Sequence, residues 1–106
     1  MTYVRVWRFR PLRNAEAAFE SAYGPEGDWV RLFRTAPGFL GTTLLKEDGT
    51  GDYLTLDRWV SRDAYETFRR DSAAPFTALD RDCESLTSVE VEIGSYDEVG
   101  EAFEGR

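Results

Sequence analysis

PGFLGTTLLKEDGTGDYLTLDRWVSRDAYETF, residues Pro37 to Phe68, decides the fold. Pro37-Gly38 is a turn signal, Phe39 to Lys46 reads as a strand, Asp48 to Asp52 is a Gly-rich reversal and Tyr53 to Val60 reads as a second strand. Ser61 has the character of a helix N-cap, with Asp63 in the first turn and Tyr65 and Phe68 at helical spacing behind it. A hairpin that runs straight into an amphipathic helix is half of a split βαβ, or ferredoxin-like, unit.

Upstream, Tyr3, Arg5, Trp7 and Phe9 alternate with Val4, Val6 and Arg8, which predicts a first strand covered at least partly on both faces. Pro11 ends it, Asn14 is placed to cap a helix, and Ala15, Ala18, Phe19, Ala22 and Tyr23 form that helix's apolar stripe. Gly24-Pro25-Glu26-Gly27 breaks it, and Asp28 reads as the cap of a short second helix carrying Trp29, Leu32 and Phe33. Trp29 and Phe33 read as lid-like packing on the sheet rather than substrate contacts.

Downstream, Tyr65, Phe68, Ser72, Phe76, Leu79, Cys83 and Leu86 recur at intervals of three and four, and Pro75 predicts a break around Ser72 to Ala74. Arg62, Glu66, Arg69, Arg70, Arg81 and Glu84 read as the solvated face of that helix. Val89, Val91 and Ile93 alternate with Ser88, Glu90 and Glu92 in a last strand over about Thr87 to Tyr96, so the polar side faces solvent or a wet cavity. The expected order is βαββαβ: an α+β, ferredoxin-like fold with a four-stranded antiparallel sheet. One domain spans residues 1–96, and an acidic tail, 97–106, follows. Helices on one sheet face leave the other uncovered, and its simplest cover is a second copy, which predicts a homodimer.

Composition narrows the chemistry. The chain has 106 residues, enough for one core, and a net charge of −7, which disfavours nucleic acid and anionic membranes. No apolar run has spanning length and no signal peptide is evident, so a soluble cytoplasmic protein is expected. Aromatic residues make up 14% of the chain, which points either to an aromatic-lined cavity or to a buried oligomer interface. There is no histidine, so Ser-His or Cys-His nucleophiles and His-ligated zinc, haem or non-haem iron are absent. No stretch has calcium-loop spacing, and no metal is expected. The single cysteine, Cys83, reads as a small buried thiol.

The residues Gly38-Phe39-Leu40-Gly41, Tyr53-Leu54-Thr55-Leu56-Asp57-Arg58-Trp59, Ser61, Ala64-Tyr65 and Phe68 resemble the antibiotic-biosynthesis monooxygenase family, over roughly Val4 to Ile93. That resemblance implies a dimeric α+β barrel. In haem-degrading members the second long helix carries a tryptophan and an iron-holding histidine. Here those positions fall at Phe68 and near Asp80, and the asparagine of the first strand is replaced around Trp7, all against haem chemistry. Other members imply cofactor-independent oxygenation of an aromatic, polyketide-like or quinol substrate, which needs a dry aromatic pocket, a base and an oxyanion donor. On that implication Trp7, Tyr53, Trp59 and Phe68 bind substrate and Asp57, Arg58, Tyr65 and Asp80 are catalytic. Asp57 or Asp80 is then the base, Tyr53 or Tyr65 the donor, and Arg5 or Arg58 the electrostatic stabiliser. No cofactor is implied. A non-catalytic binder of small aromatic ligands and a structural dimerisation module with a filled core remain as alternatives.

Overall fold

The computed structural model describes residues 1–105. Strands β1 (Tyr3–Pro11), β2 (Phe39–Lys46), β3 (Tyr53–Trp59) and β4 (Thr87–Asp97) form one antiparallel sheet in the order β2-β3-β1-β4. Helices α1 (Glu16–Tyr23), α2 (Asp28–Phe33), α3 (Arg62–Asp71) and α4 (Ala73–Cys83) connect them, and a 3₁₀ turn at Glu84–Leu86 leads into β4. This is the ferredoxin-like α+β arrangement expected from the hairpin and its following helix. Among the described residues no helix is long and apolar enough to cross a membrane.

Local chemistry accounts for most of the boundaries. The Ser61 hydroxyl accepts from the Ala64 N–H at 3.1 Å and caps α3. Gly38 turns into β2 with φ +93°, and a Cβ there would stand 2.8 Å from Ala64 Cβ and 2.9 Å from Val60 Cγ2, so the turn needs glycine for both backbone and space. The break before Pro75 falls at Ser72, where φ −113° and ψ 25° separate α3 from α4. Pro75 then sits in the first turn of α4, where a missing N–H costs no helical bond.

Two expected caps differ. Ala15, not Asn14, occupies the N-cap of α1, because Asn14 takes φ 69° and turns the chain instead. Gly27 occupies the N-cap of α2, and Asp28 moves to its first turn, where a carboxylate is favoured by the helix dipole and pairs with Arg31.

The register of β1 on β3 sets Tyr3, Arg5, Trp7 and Phe9 opposite Trp59, Asp57, Thr55 and Tyr53. Those eight residues share the helix-covered face, and the core is an aromatic cluster built on them. Phe19 stacks on Tyr23 with centroids 4.4 Å apart, and Trp59 lies 5.1 Å from Phe68 and 5.6 Å from Phe33. Cys83 is buried, and burial pushes its thiol pKa up, as suits a packed, unreactive sulfur. The opposite face carries Val6, Leu54 and Leu56 with Leu45, Val91 and Tyr96, the last three nearly half exposed. Beyond β4, Val99 and Phe103 are exposed and the Glu98 N–H donates to the Thr2 carbonyl at 2.8 Å.

Candidate active site

Between the sheet and the helices lies a cavity of about 230 Å³, larger than the ~150 Å³ space that admits benzene. Its aromatic walls come from Trp7 and Phe9 on β1, Tyr23 on α1, Trp29 and Phe33 on α2, Tyr65 on α3 and Phe76 on α4. Its polar groups are Arg5, Thr42, Thr55, Asp57 and Glu90 on the sheet, with Arg69 on α3 and Asp80 on α4.

Asp57 is the central polar group. Alternation along β3 sends Thr55, Asp57 and Trp59 to the helix face, so a carboxylate enters a layer of aromatic rings. Its side chain is half-buried and lines the cavity. Burial pushes its carboxyl from the ordinary 3.8 up to about 6, against the opposing effects of the Thr42 hydrogen bond and of Arg5 and Arg58. The Thr42 hydroxyl donates to Asp57 Oδ1 at 2.7 Å.

Arg5 lies opposite Asp57 on β1. Its guanidinium sits 4.6 Å from the Tyr65 ring centroid, pairs with Glu92 at 3.2 Å and reaches the Tyr3 hydroxyl at 3.4 Å. The Tyr65 hydroxyl accepts from Arg69 at 3.0 Å, which leaves its own proton free to be donated. Arg69 in turn lies 3.9 Å from the Phe76 ring centroid. Asp80 and Glu90 line the cavity from α4 and β4, and burial, then the nearby Asp80 and Glu84 charges, push the Glu90 carboxyl up.

Four of the eight residues singled out from sequence, Trp7, Asp57, Tyr65 and Asp80, thus meet around this cavity. The other four lie elsewhere. Arg58 follows Asp57 by one residue and therefore points to the opposite sheet face, where it bonds the Thr43 hydroxyl at 3.0 Å and approaches Glu98 at 3.7 Å. Tyr53 is buried with its hydroxyl on Glu16 and Glu20 of α1, contacts that with burial hold its phenol above its ordinary pKa. Trp59 and Phe68 are packed in the core behind the cavity wall.

Four lining residues take places that the sequence reading did not give them. Arg69 turns to Tyr65 and Phe76 instead of standing on a wholly solvated face, because the break at Ser72 brings α4 alongside. Trp29 and Phe33 pack in the core and also border the cavity, so packing and lining are one role. Thr42 had no signal in the alternation of β2, since an irregularity upstream of it decides which way it faces.

The sequence profile of the antibiotic biosynthesis monooxygenase family matches residues 2–74, and the chain belongs to that family. No curated protein sequence matches it. Among solved structures it is similar to SnoaB, a cofactor-independent oxygenase from Streptomyces nogalater, at 23% identity over 97% of this chain and 98% of that one, with a TM-score of 0.74. A putative antibiotic biosynthesis monooxygenase from Bordetella bronchiseptica is 18% identical over 92% of this chain and 97% of its own, with a TM-score of 0.74. A variant of MhuD with two manganese protoporphyrin IX bound per active site is 17% identical over 96% of this chain and 99% of its own, with a TM-score of 0.70.

Proposed function

We propose that this family member is a cofactor-independent monooxygenase that oxidises an electron-rich aromatic substrate, such as an anthrone or quinol, with dioxygen. The observation that carries the reading is the Asp57 carboxylate, fixed by Thr42 in the wall of an aromatic cavity and faced by Arg5 and Tyr65. A structural module with a filled core would have no use for a 230 Å³ cavity or for a carboxyl buried in it. The fold likeness to SnoaB is consistent with this chemistry.

In this reading Asp57 takes a proton from the substrate methylene or phenol, and the Arg5 guanidinium and the Tyr65 hydroxyl stabilise the oxyanion that forms. The electron-rich anion reduces dioxygen by one electron, the resulting radicals combine to a peroxide anion, and the proton held by Asp57 returns to it to give a hydroperoxide. For an anthrone, loss of water from that hydroperoxide breaks the O–O bond and leaves a carbonyl, so CH₂ and O₂ become C=O and H₂O. Trp7, Trp29 and Phe76 hold the rings and exclude water, which keeps the anion reactive toward oxygen. Asp80, across the cavity beside Glu90, is the weaker candidate for the base, since no hydrogen-bond donor fixes it among the described residues.

Tyr65→Phe keeps the ring and deletes the hydroxyl. Oxygen uptake with an anthrone panel is expected to fall at least about tenfold with the melting temperature nearly unchanged. Unchanged turnover would return Tyr65 to packing alone.

The protein acts in this reading as a cytoplasmic homodimer. The sheet face away from the helices, where Leu45, Val91 and Tyr96 stand exposed beside the charged side chains of Arg8 and Arg58, is the surface a second copy would cover, closing two sheets into a barrel. Light scattering at micromolar concentration is expected to give twice the chain mass, and a monomer at every concentration tested would remove the barrel.

A further inference from the structure

Side chains along a strand alternate between faces, so residues three apart belong on opposite sides. In β2 they do not. Phe39 packs against Phe33 and Trp59 on the helix side, with centroids 5.2 Å from each, and Thr42 lines the cavity on that same side. The pairing explains it: Phe39 lies opposite Trp59, Gly41 opposite Arg58 and Thr42 opposite Asp57, so Leu40 is an extra residue and the strand bulges. Gly41 carries φ +153°, a setting that side-chain-bearing residues rarely adopt, while a Cβ there would meet nothing within 4 Å. The glycine therefore serves the backbone of the bulge and not a close approach. Were the pairing regular from Phe39 onward, with Leu40 opposite Arg58, Gly41 would lie opposite Asp57 and bring no hydroxyl.

We propose that Thr42, turned into the cavity by the bulge at Leu40-Gly41, is the positioning residue for Asp57 and fixes both the orientation and the ionisation of its carboxylate. This rests on the reading of Asp57 as the base. Two successive threonines serve two successive charged residues: Thr42 donates to Asp57 inside, and Thr43 accepts from Arg58 outside. The groups around Asp57 from the packed elements are Arg5 on β1, Tyr65 and Arg69 on α3, Asp80 on α4, and Glu90 and Glu92 on β4, with Arg58 on its own strand. Among those that oppose burial and favour the ionised form, the Thr42 hydrogen bond leads, ahead of Arg5 and Arg58. A hydroxyl donor holds the anionic form directly, so its loss leaves Asp57 protonated to a higher pH.

The test is a carbon-13 carboxyl NMR titration of Asp57 in the wild type, Thr42→Val, Thr42→Ala and Thr42→Ser. The isosteric valine is expected to raise the midpoint by at least about one pH unit, alanine to do the same, and serine to stay within a few tenths of the wild type. The acid limb of the oxygen-uptake profile should move up with the midpoint in Thr42→Val and stay in place in Thr42→Ser. If valine fails to fold, alanine decides. Midpoints of Thr42→Val or Thr42→Ala coincident with the wild type, or a serine midpoint as far displaced as alanine's, would overturn the inference. The titration needs no turnover, so it is decided separately from the reading beneath it, which stands or falls on oxygen uptake by Asp57→Asn.

Discussion

Asp57→Asn is expected to lower oxygen uptake by at least about a hundredfold and at the same time to make the protein more stable above pH 6. The first effect follows, on the proposed function, from removing the base. The second follows from linkage. Asp57 titrates at about 6 when folded against an ordinary 3.8, because burial disfavours its charge. Below 3.8 it is protonated in both states and costs nothing. Between 3.8 and 6 the unfolded chain releases the proton while the folded chain retains it, so stability falls as pH rises through that window. Above 6 the cost is constant at about 3 kcal/mol. Asparagine keeps the size and the acceptor for Thr42 but has no charge to bury. Thermal melts at pH 5 and pH 8 should therefore show the variant gaining at the higher pH, by more than about 5 °C relative to its difference at the lower. A variant that loses stability at pH 8, or retains wild-type turnover, would place Asp57 in a structural ion-pair network instead.

Asp57 was legible in the sequence because period two is local: Tyr53, Thr55, Asp57 and Trp59 share a face, and a carboxylate among aromatic residues stands out. The same rule shows why Arg58, its neighbour, cannot join it. The hairpin, the Ser61 cap and the break at Ser72 were legible for the same reason, since each is set by residues within one turn of itself. What sequence could not supply depends on non-local geometry. Arg69 looks solvated on the wheel of α3 alone, and only the return of Phe76 on α4 gives its guanidinium a surface to lie on. Thr42 faces the cavity through a one-residue insertion whose sequence mark is a glycine among several. Periodicity identifies an aromatic stripe but does not divide it into core and cavity wall. Trp7 and Tyr65 fall on the wall while Trp59 and Phe68 fall behind it, a matter of depth set by how α2 and α4 close over the sheet.

That division gives the other large effect. Phe68→Ala is expected to destabilise the fold by roughly 3–5 kcal/mol, the range for deleting a fully buried aromatic ring. Phe68 is 1% exposed and touches rings on three elements: Trp59 at 5.1 Å, Phe33 at 5.4 Å and Phe76 at 6.2 Å between centroids. These neighbours are held by separate strands and helices and cannot all collapse into the space the ring leaves, so a cavity persists. Phe68→Leu fills most of the volume and should recover the larger part of the loss. Urea midpoints with unchanged slopes would measure both. Phe33 and Phe76 also border the cavity, so the alanine variant should loosen that wall as well and, on the proposed function, weaken ligand binding through its neighbours rather than through a lost contact. Stability within about 1 kcal/mol of the wild type, together with an altered substrate preference, would move Phe68 from the core to the cavity wall.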